Sequence, residues 1–263
     1  MRYIDKIKRK YKETKEKSLL VYLILRFLVI ICMVLEILRG DLNNAFLCFL
    51  SLLLFTIPTL IEDKFKIGIP SLLESIIYLF IFSAEILGEI NNFYGNIPYW
   101  DTILHTINGF LAAGVGFSLV DILNKSSKNI KLSPLYVAIV AFCFSMTIGV
   151  LWEFFEYGMD RYLKLDTQKD RIVNVISTVK LDPNNENKAI IIDNIKETHI
   201  ITDNDKIVIE GGYLDIGIND TMKDLIVNFI GAVCFSTIGY LYIKNRDKYK
   251  FAVNFIPYKE GEK

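Results

Sequence analysis

Six apolar blocks, each about as long as a membrane-crossing helix, limit what this chain can fold into. A transmembrane helix needs about 20 mostly apolar residues. Blocks of that length lie at residues 19–38, 44–62, 70–90, 100–121, 135–158 and 219–243. Apolar residues make up 52% of the chain, and they are concentrated in these blocks. We therefore predict a mainly α-helical bundle of six spans in a multi-pass membrane protein.

Polar segments divide the chain around the spans. A basic tail (1–18) precedes the first five spans (19–158), and a polar insert (159–218) separates them from the sixth (219–243), which a second tail (244–263) follows. The insert contains "RIVNVISTV", "AIIID", "THIIT" and "KIVIEGGYL", which are rich in β-branched residues and separated by Asn/Asp turns. We expect a small β-rich, antiparallel cap, in which His199 is an ordinary surface residue.

The distribution of basic residues predicts the orientation in the membrane. Lys64 and Lys66 follow the second span, and three lysines lie in the loop at 124–133, whereas the loop at 91–99 has no basic residue. Because Lys and Arg favour the cytoplasmic side, we expect both termini in the cytoplasm and the insert (159–218) outside. The expected location is the cytoplasmic (inner) membrane of a bacterium.

Ionisable residues recur at one depth in the predicted spans. With a rise of about 1.5 Å per residue, His105 lies about 24 Å from the inner edge, Glu153 about 27 Å and Asp224 about 28 Å. The hydrocarbon layer is about 30 Å thick. Ionisable groups at such depths are costly and usually face a bundle interior or a wet cavity. We expect a polar pocket that opens outward, bordered by spans 3 to 6 and covered by the insert.

The spacing of these polar residues places them on shared helix faces, because residues three or four apart lie on one side of a helix. Such sets are Glu85 and Glu89 on span 3, Asp101 and His105 on span 4, Glu153, Glu156 and Asp160 on span 5, and Asp220, Asp224 and Asn228 on span 6. Asp101, Asp160 and Asp220 lie near span ends and close to water, where a purely structural role is an equally good interpretation. Asp101 and Asp220 also precede their predicted helices as candidate N-caps.

Carboxylates beside a histidine suggest two kinds of chemistry. They can share protons and serve as acid and base, or they can bind one divalent metal ion. The candidate catalytic residues and metal ligands are His105, Glu153, Glu156 and Asp224. The candidate supporting residues are Glu85, Glu89, Asp101, Asp160, Asp220 and Asn228. Neither the metal nor the substrate can be chosen from the sequence, and we expect membrane lipids rather than nucleic acid as partners.

Three long motifs carry a resemblance to a known family. They are "FYGNIPYWDTILHTINGFLAAGVGFSLVD", "FSMTIGVLWEFFEYGMD" and "GGYLDIGINDTMKDLIVNFIGA". Together they resemble the YjdF-like bacterial inner-membrane proteins, a family of unknown function, over roughly residues 70 to 243. The pattern of acids and histidine is also distantly similar to VanZ-like membrane proteins. The resemblance implies an integral membrane protein and supplies neither a substrate nor catalytic residues.

Three functions fit these observations. The first is a membrane enzyme, dependent on a metal or on acid/base chemistry, that acts on a lipid or lipid-linked headgroup. The second is a cation- or proton-coupled transporter, since such proteins use carboxylates within a bundle. The third is a non-catalytic sensor or accessory protein whose insert binds a partner and whose acids brace the helices.

Overall fold

The computed structural model describes the chain from residue 2 to 126 and from 131 to 259, and its side chains from Lys17 onward except those of residues 65 and 126. The side chains of the N-terminal tail up to Glu16, the loop residues 127–130 and the last four residues therefore lie outside this description. The chain divides into two compact units, Met1–Gly149 with Ile226–Lys263, and Val150–Leu225. We call these the first and the second unit.

Most of the described chain is helical. The α-helices are α1 (Arg2–Arg39), α2 (Leu42–Leu54), α3 (Ile57–Phe65), α4 (Ser71–Ile81), α5 (Phe93–Asn96), α6 (Trp100–Ser126), α7 (Pro134–Leu163) and α8 (Ile218–Lys244). A π-helix (Phe82–Ile90) continues α4, and a 3₁₀-helix (Lys250–Phe255) follows α8.

Six helical segments of the described chain are long and apolar enough to cross a membrane. They are Lys17–Arg39, Leu42–Lys64, Ser71–Ile90, Trp100–Lys125, Pro134–Leu163 and Ile218–Lys244. This confirms the predicted six-span helical class. Many apolar side chains of these segments are exposed, as expected where lipid rather than protein surrounds a helix.

Two spans are less regular than their sequences predict. The second consists of α2 and α3, which are separated at Phe55 and Thr56. Pro58 lies in the first turn of α3, and because proline has no N–H it cannot continue the hydrogen bonding of the preceding helix. The third span changes from an α-helix to a π-helix at Phe82. Neither irregularity can be recognised from the length or hydrophobicity of an apolar run.

The first unit has two apolar cores. One joins α1, α2, α4 and the π-helix around Val29, Phe55 and Tyr78. The other surrounds Phe117 and Phe235 of α6 and α8. The chain after α8 also belongs to this second core, because Ala252 and Ile256 are buried there. The adjoining strand β8 (Tyr258–Lys259) pairs antiparallel with β1 (Ile67–Gly68).

The second unit carries the strands that lie between α7 and α8. They are β2 (Ile172–Val173), β3 (Ile176–Thr178), β4 (Ile190–Ile192), β5 (Glu197–Ile201), β6 (Lys206–Glu210) and β7 (Tyr213–Leu214). They form three separate antiparallel pairs, β2 with β7, β3 with β4, and β5 with β6. The predicted strand-rich insert is therefore confirmed. His199 lies on β5 and is exposed.

Candidate functional site

Helix α8 buries a polar stripe and exposes an apolar one. Asp220, Asp224 and Asn228 follow one another at intervals of four, and all three are buried, Asp224 with 2% of its surface exposed. Residues four apart share a helix face. The other face carries the exposed side chains of Met222, Ile226, Phe229 and Ile230. This distribution is the reverse of that on a surface helix of a soluble protein, and it fits a helix with polar groups turned away from lipid.

Asn228 lies where three helices of the first unit approach closely. A methyl group added at Gly109 of α6 would lie 2.2 Å from the Asn228 carbonyl oxygen, and one at Gly149 of α7 would lie 2.7 Å from its side-chain nitrogen. The Asn228 amide makes long hydrogen bonds of 3.5 Å, donating to the Ser145 carbonyl and accepting from the Asn108 amide. Glycines at this crossing allow the helix backbones to meet.

Helix α7 has a similar reversal near its C-terminal end. Glu153 is buried, with 5% of its surface exposed, while its neighbours Trp152, Phe154 and Phe155 are exposed. Glu156, one turn further along, is half-buried. An acid that is buried between exposed aromatic residues has a specific interior position and does not simply extend toward water.

Asp160 and Asp220 hold one short segment in the second unit. The Asp160 carboxylate accepts the Thr167 N–H at 2.6 Å, the Thr167 hydroxyl at 2.7 Å and the Gln168 N–H at 2.8 Å. The Asp220 carboxylate accepts the Lys169 N–H at 3.0 Å and the Arg171 guanidinium at 3.2 Å. These two acids therefore tie segment 167–171 to the end of α7 and the start of α8.

Asp215 completes the turn that leads into α8. Its carboxylate accepts the backbone N–H groups of Arg171, Gly217 and Asn219 at 2.8, 3.2 and 3.0 Å. Burial alone would raise the pKa of Asp215, but the hydrogen bonds from these N–H groups and from the Asn219 side chain outweigh it and lower the pKa. The turn is thus built around an ionised carboxylate, which the sequence analysis did not single out.

His105 and Asp101 form a pair on α6 in the first unit. The Asp101 Oδ1 atom lies 3.3 Å from His105 Nε2, and both side chains are partly buried. A carboxylate in this position orients an imidazole ring and increases its basicity, as happens behind many metal-bound histidines. The i, i+4 spacing in the sequence predicts this contact.

Glu85 and Glu89 lie on the π-helix of the third span. Glu85 is partly buried and Glu89 is exposed. The hydrogen bonds of a π-helix join residues five apart, so the α-helical geometry behind the predicted stripe does not apply here. Their supporting role stays a prediction.

An apolar cavity of about 260 Å³ opens beside α6 in the first unit. Its walls include Leu79 of α4, Ser83 of the π-helix, and Trp100, Ile103 and Ile107 of α6. The Trp100 indole N–H donates to the Ser83 carbonyl at 3.3 Å. The cavity lies next to the same turns of α6 that carry Asp101 and His105.

The structure brings together some of the predicted site residues. Asp101 contacts His105 in the first unit, and segment 167–171 links Asp160 and Asp220 in the second. The complete grouping of candidate ligands and catalytic residues stays a prediction; it comprises His105 in the first unit and Glu153, Glu156 and Asp224 in the second. Carboxylate oxygens and one imidazole nitrogen are a ligand set that suits a divalent ion.

Sequence reasoning did not find the partners of Asp160 and Asp220. Their hydrogen-bond donors are mostly backbone N–H groups of segment 167–171, and a backbone group has no signature of its own in the sequence. Lys223, whose Nζ lies 3.6 Å from Asp224 Oδ1, was also missed. The sequence did contain a signal for this contact, since Lys223 is adjacent to Asp224 in the polar first turns of the predicted span.

Comparisons with known proteins agree with the structure. A family model described as "Predicted membrane protein (DUF2238)" matches residues 19–245. An uncharacterized protein of Thermotoga maritima is 34% identical over 90 residues, which are 34% of this chain and 45% of that relative. The chain therefore covers less than half the length of this curated relative. No solved structure matches. The family match extends over most of the chain and confirms the resemblance to a membrane-protein family of unknown function, so this multi-pass membrane protein belongs to the predicted membrane proteins designated DUF2238.

Proposed function

We propose that this protein is a membrane enzyme that acts on the polar headgroup of a lipid or lipid-linked molecule. The observation that carries the proposal is the burial of acidic residues on helices whose other sides carry exposed apolar residues. Glu153 and Asp224 are both buried next to exposed apolar neighbours. Buried acids within spans are costly, and membrane proteins generally retain them for chemistry or transport.

The depth of the candidate residues, estimated from the sequence, favours a headgroup as the substrate. His105, Glu153 and Asp224 lie about 24 to 28 Å along their spans from the predicted inner edge, which is close to the opposite headgroup layer. The apolar cavity beside α6 adds a surface that suits an acyl chain. A lipid has both of these parts in one molecule, namely a polar headgroup and an apolar acyl chain.

Each candidate residue has a role in this proposal. His105, oriented by Asp101, acts as a base or as a metal ligand through its other ring nitrogen. Glu153, Glu156 and Asp224 supply carboxylates that hold a divalent ion or exchange protons with the substrate. A bound ion would polarise a headgroup oxygen as a Lewis acid. Asn228 orients the helices through its contacts with Ser145 and Asn108.

The metal content of the purified protein tests whether a site exists. We expect one divalent ion per chain in the wild type by mass spectrometry, and its loss in His105→Ala and Glu153→Ala. His199→Ala and Glu210→Ala are matched controls, because both residues are exposed on β5 and β6, and they should retain the ion. Equal metal in all five proteins would exclude these ligands.

The lipid profile of cells tests the activity. Overproduction of the wild type should change the amount of at least one headgroup class, because substrate is consumed and product accumulates. Glu153→Ala and Asp224→Ala, produced at equal levels in the membrane, should not cause this change. Identical profiles for the wild type and both variants would contradict an enzymatic role.

A further inference from the structure

An apolar groove of about 290 Å³ lies between α7 and α8 in the first unit and involves none of the residues of the proposed site. We call it the α7–α8 groove. Its wall residues follow one another at intervals of three or four on each helix, so that one face of each helix forms the wall. The wall includes Leu135, Ile139 and Phe142 of α7 and Val233, Ser236 and Tyr240 of α8.

The length of the groove suits the upper part of an acyl chain. At its deep end the rings of Phe142 and Phe229 pack edge to face, with centroids 5.3 Å apart. Its other end lies at Leu135, the second residue of α7, and at Tyr240 in the last turns of α8. From Leu135 to Phe142 the helix rises about 10 Å, which fits within the roughly 15 Å that one leaflet contributes to the hydrocarbon layer.

Positive charge lies at the end of the groove near Tyr240. Lys244 is the last residue of α8, and its ammonium lies 5.2 Å from the centroid of the Tyr240 ring. Arg246 pairs with Asp121 at 2.9 Å, whereas Lys244 belongs to no ion pair within the described part of the chain. Lys131, just before α7, is also exposed, and the first turn of α7 contains no acid. This end therefore favours an anion.

Ser236 adds a hydroxyl without an acceptor to the wall. It has 7% of its surface exposed, and its Oγ atom forms no hydrogen bond within the residues that the structure describes. Serines in helices commonly donate to the carbonyl four residues earlier, as Ser51, Ser75 and Ser118 do at 2.9, 2.8 and 2.6 Å. A buried hydroxyl is costly to leave unpaired. The groove is the route by which an acceptor from outside the chain reaches Ser236.

The two polar groups of the groove are separated as the polar groups of a phospholipid are. Ser236 and Tyr240 are one turn apart, about 6 Å along α8, and the Lys244 ammonium is folded back to the Tyr240 ring. In a glycerophospholipid the ester carbonyls lie just below the phosphate, and the acyl chains continue below them. A phosphate beside Lys244 therefore places an ester carbonyl at the level of Ser236 and an acyl chain beside Phe142.

We propose that the α7–α8 groove binds one anionic glycerophospholipid. Its phosphate pairs with Lys244, an ester carbonyl accepts the Ser236 hydroxyl, and one acyl chain lies along the groove from Leu135 to Phe142. The lipid is bound and no covalent bond changes, so the proposal does not rest on the proposed enzyme activity. A second copy of this chain fits less well, because a symmetric pair in one membrane brings the lysines of both copies to one level, where they repel.

Native mass spectrometry of the full-length protein in detergent tests the contact with Lys244. The probes are phosphatidylglycerol and phosphatidylcholine with identical acyl chains, because only the first has a net charge. The wild type should bind one phosphatidylglycerol with a Kd about fivefold lower than that for phosphatidylcholine, as expected for one basic residue at a membrane surface. Lys244→Gln should lose this preference. Lys250→Gln is the matched control and should keep it, because Lys250 is exposed and lies 3.4 Å from Asp247.

An ether-linked phosphatidylglycerol tests the contact with Ser236, because it lacks the ester carbonyls. The wild type should bind it about fivefold more weakly than the ester-linked form, as expected for the loss of one hydrogen bond. Ser236→Ala should bind both forms equally. Ser118→Ala is the matched control, since its hydroxyl already donates to the Gly114 carbonyl, and it should discriminate between the two forms as the wild type does.

A third variant fills the groove. Val233 is exposed, so Val233→Phe should fold and should weaken the binding of every probe. The proposal is wrong if the wild type binds both charge types equally, if the preference survives in Lys244→Gln, or if the ether form costs Ser236→Ala as much as the wild type. A lipid-free dimer that Val233→Phe converts to a monomer would also overturn it, by assigning the groove to a second copy. These measurements report binding alone, so their failure leaves the enzyme proposal intact.

Discussion

At the scale of single residues, the contact between α6 and α8 at Gly231 gives a sharp prediction. A methyl group at Gly231 would lie 2.1 Å from the Thr106 carbonyl oxygen and 2.8 Å from the Phe110 backbone nitrogen. Backbone atoms cannot move without moving the helix. We expect Gly231→Ala to lower the free energy of unfolding by about 1–3 kcal/mol, as for other overpacked sites. Thermal unfolding in detergent measures this.

Gly158 provides the control for that substitution. It is also helical, but a methyl group there would meet no atom within 4 Å. Because alanine favours a helix over glycine by up to about 1 kcal/mol, Gly158→Ala should unfold at the same temperature as the wild type or higher. An equal loss of stability in both variants would show that the close approach at Gly231 is not the cause.

Periodicity predicted the polar residues of α8 well and those of α4 poorly. The stripe of Asp220, Asp224 and Asn228 follows from the four-residue spacing, because α8 is an α-helix along its whole length. Glu74 and Tyr78 have the same spacing, but a single acid in an apolar run gave no reason to expect a buried group. The contact between the rings of Tyr78 and Tyr22 of α1 depends on how two distant segments pack.

At the scale of elements, the turn around Asp215 predicts a local dependence on pH. The pKa of Asp215 is lowered in the folded state, so its stabilisation is complete above the ordinary aspartate pKa of about 3.9. It is lost as the pH falls through the lowered value. Hydrogen–deuterium exchange, corrected for intrinsic rates, should show that the turn at 213–219 loses protection on acidification.

Asp215→Asn should remove this dependence, since the amide does not ionise and accepts the backbone N–H groups more weakly. The turn should then be less protected than in the wild type at neutral pH. Asp203→Asn is the control, because Asp203 lies in an exposed turn, and it should behave as the wild type. If the wild-type turn stays equally protected as its carboxylates titrate, Asp215 does not stabilise it.

The elements themselves were predictable to different degrees. Lengths of apolar runs predicted all six candidate spans, and β-branched stretches predicted the strands between α7 and α8. The interruption at Phe55 and the π-helix from Phe82 were not predicted. Both are changes of backbone hydrogen bonding within an apolar sequence, and hydrophobicity alone does not predict them.

At the scale of the whole molecule, the basic loops predict the orientation, which cysteine labelling can test. With the four native cysteines replaced by alanine, Glu186→Cys in the insert should react with a membrane-impermeant maleimide in intact spheroplasts. Asp247→Cys, after α8, should react only after lysis. Both positions are exposed, so burial does not protect either one. The opposite pattern would invert the topology and move the candidate site to the cytoplasmic side.

Proton flux into vesicles containing the purified protein separates the enzyme from the transporter. Flux above that of empty vesicles, lost in Glu153→Ala and Asp224→Ala, would favour the transporter and place these acids of α7 and α8 on its route. The sequence could not decide this, because the four candidate residues come from three helices and their grouping depends on the packing of the entire chain.

The buried polar stripe of α8 also bears on how this protein is made. A newly synthesised helix meets lipid before it meets its neighbours, and polar side chains within a span are costly until they have partners. Helix α8 carries Asp220, Asp224 and Asn228, and the side chain of Asn228 forms hydrogen bonds with Asn108 on α6 and Ser145 on α7. We therefore expect α6 and α7 to assist the stable integration of α8 into the bilayer. Separate synthesis of α8 should leave it unable to integrate until α6 and α7 are supplied.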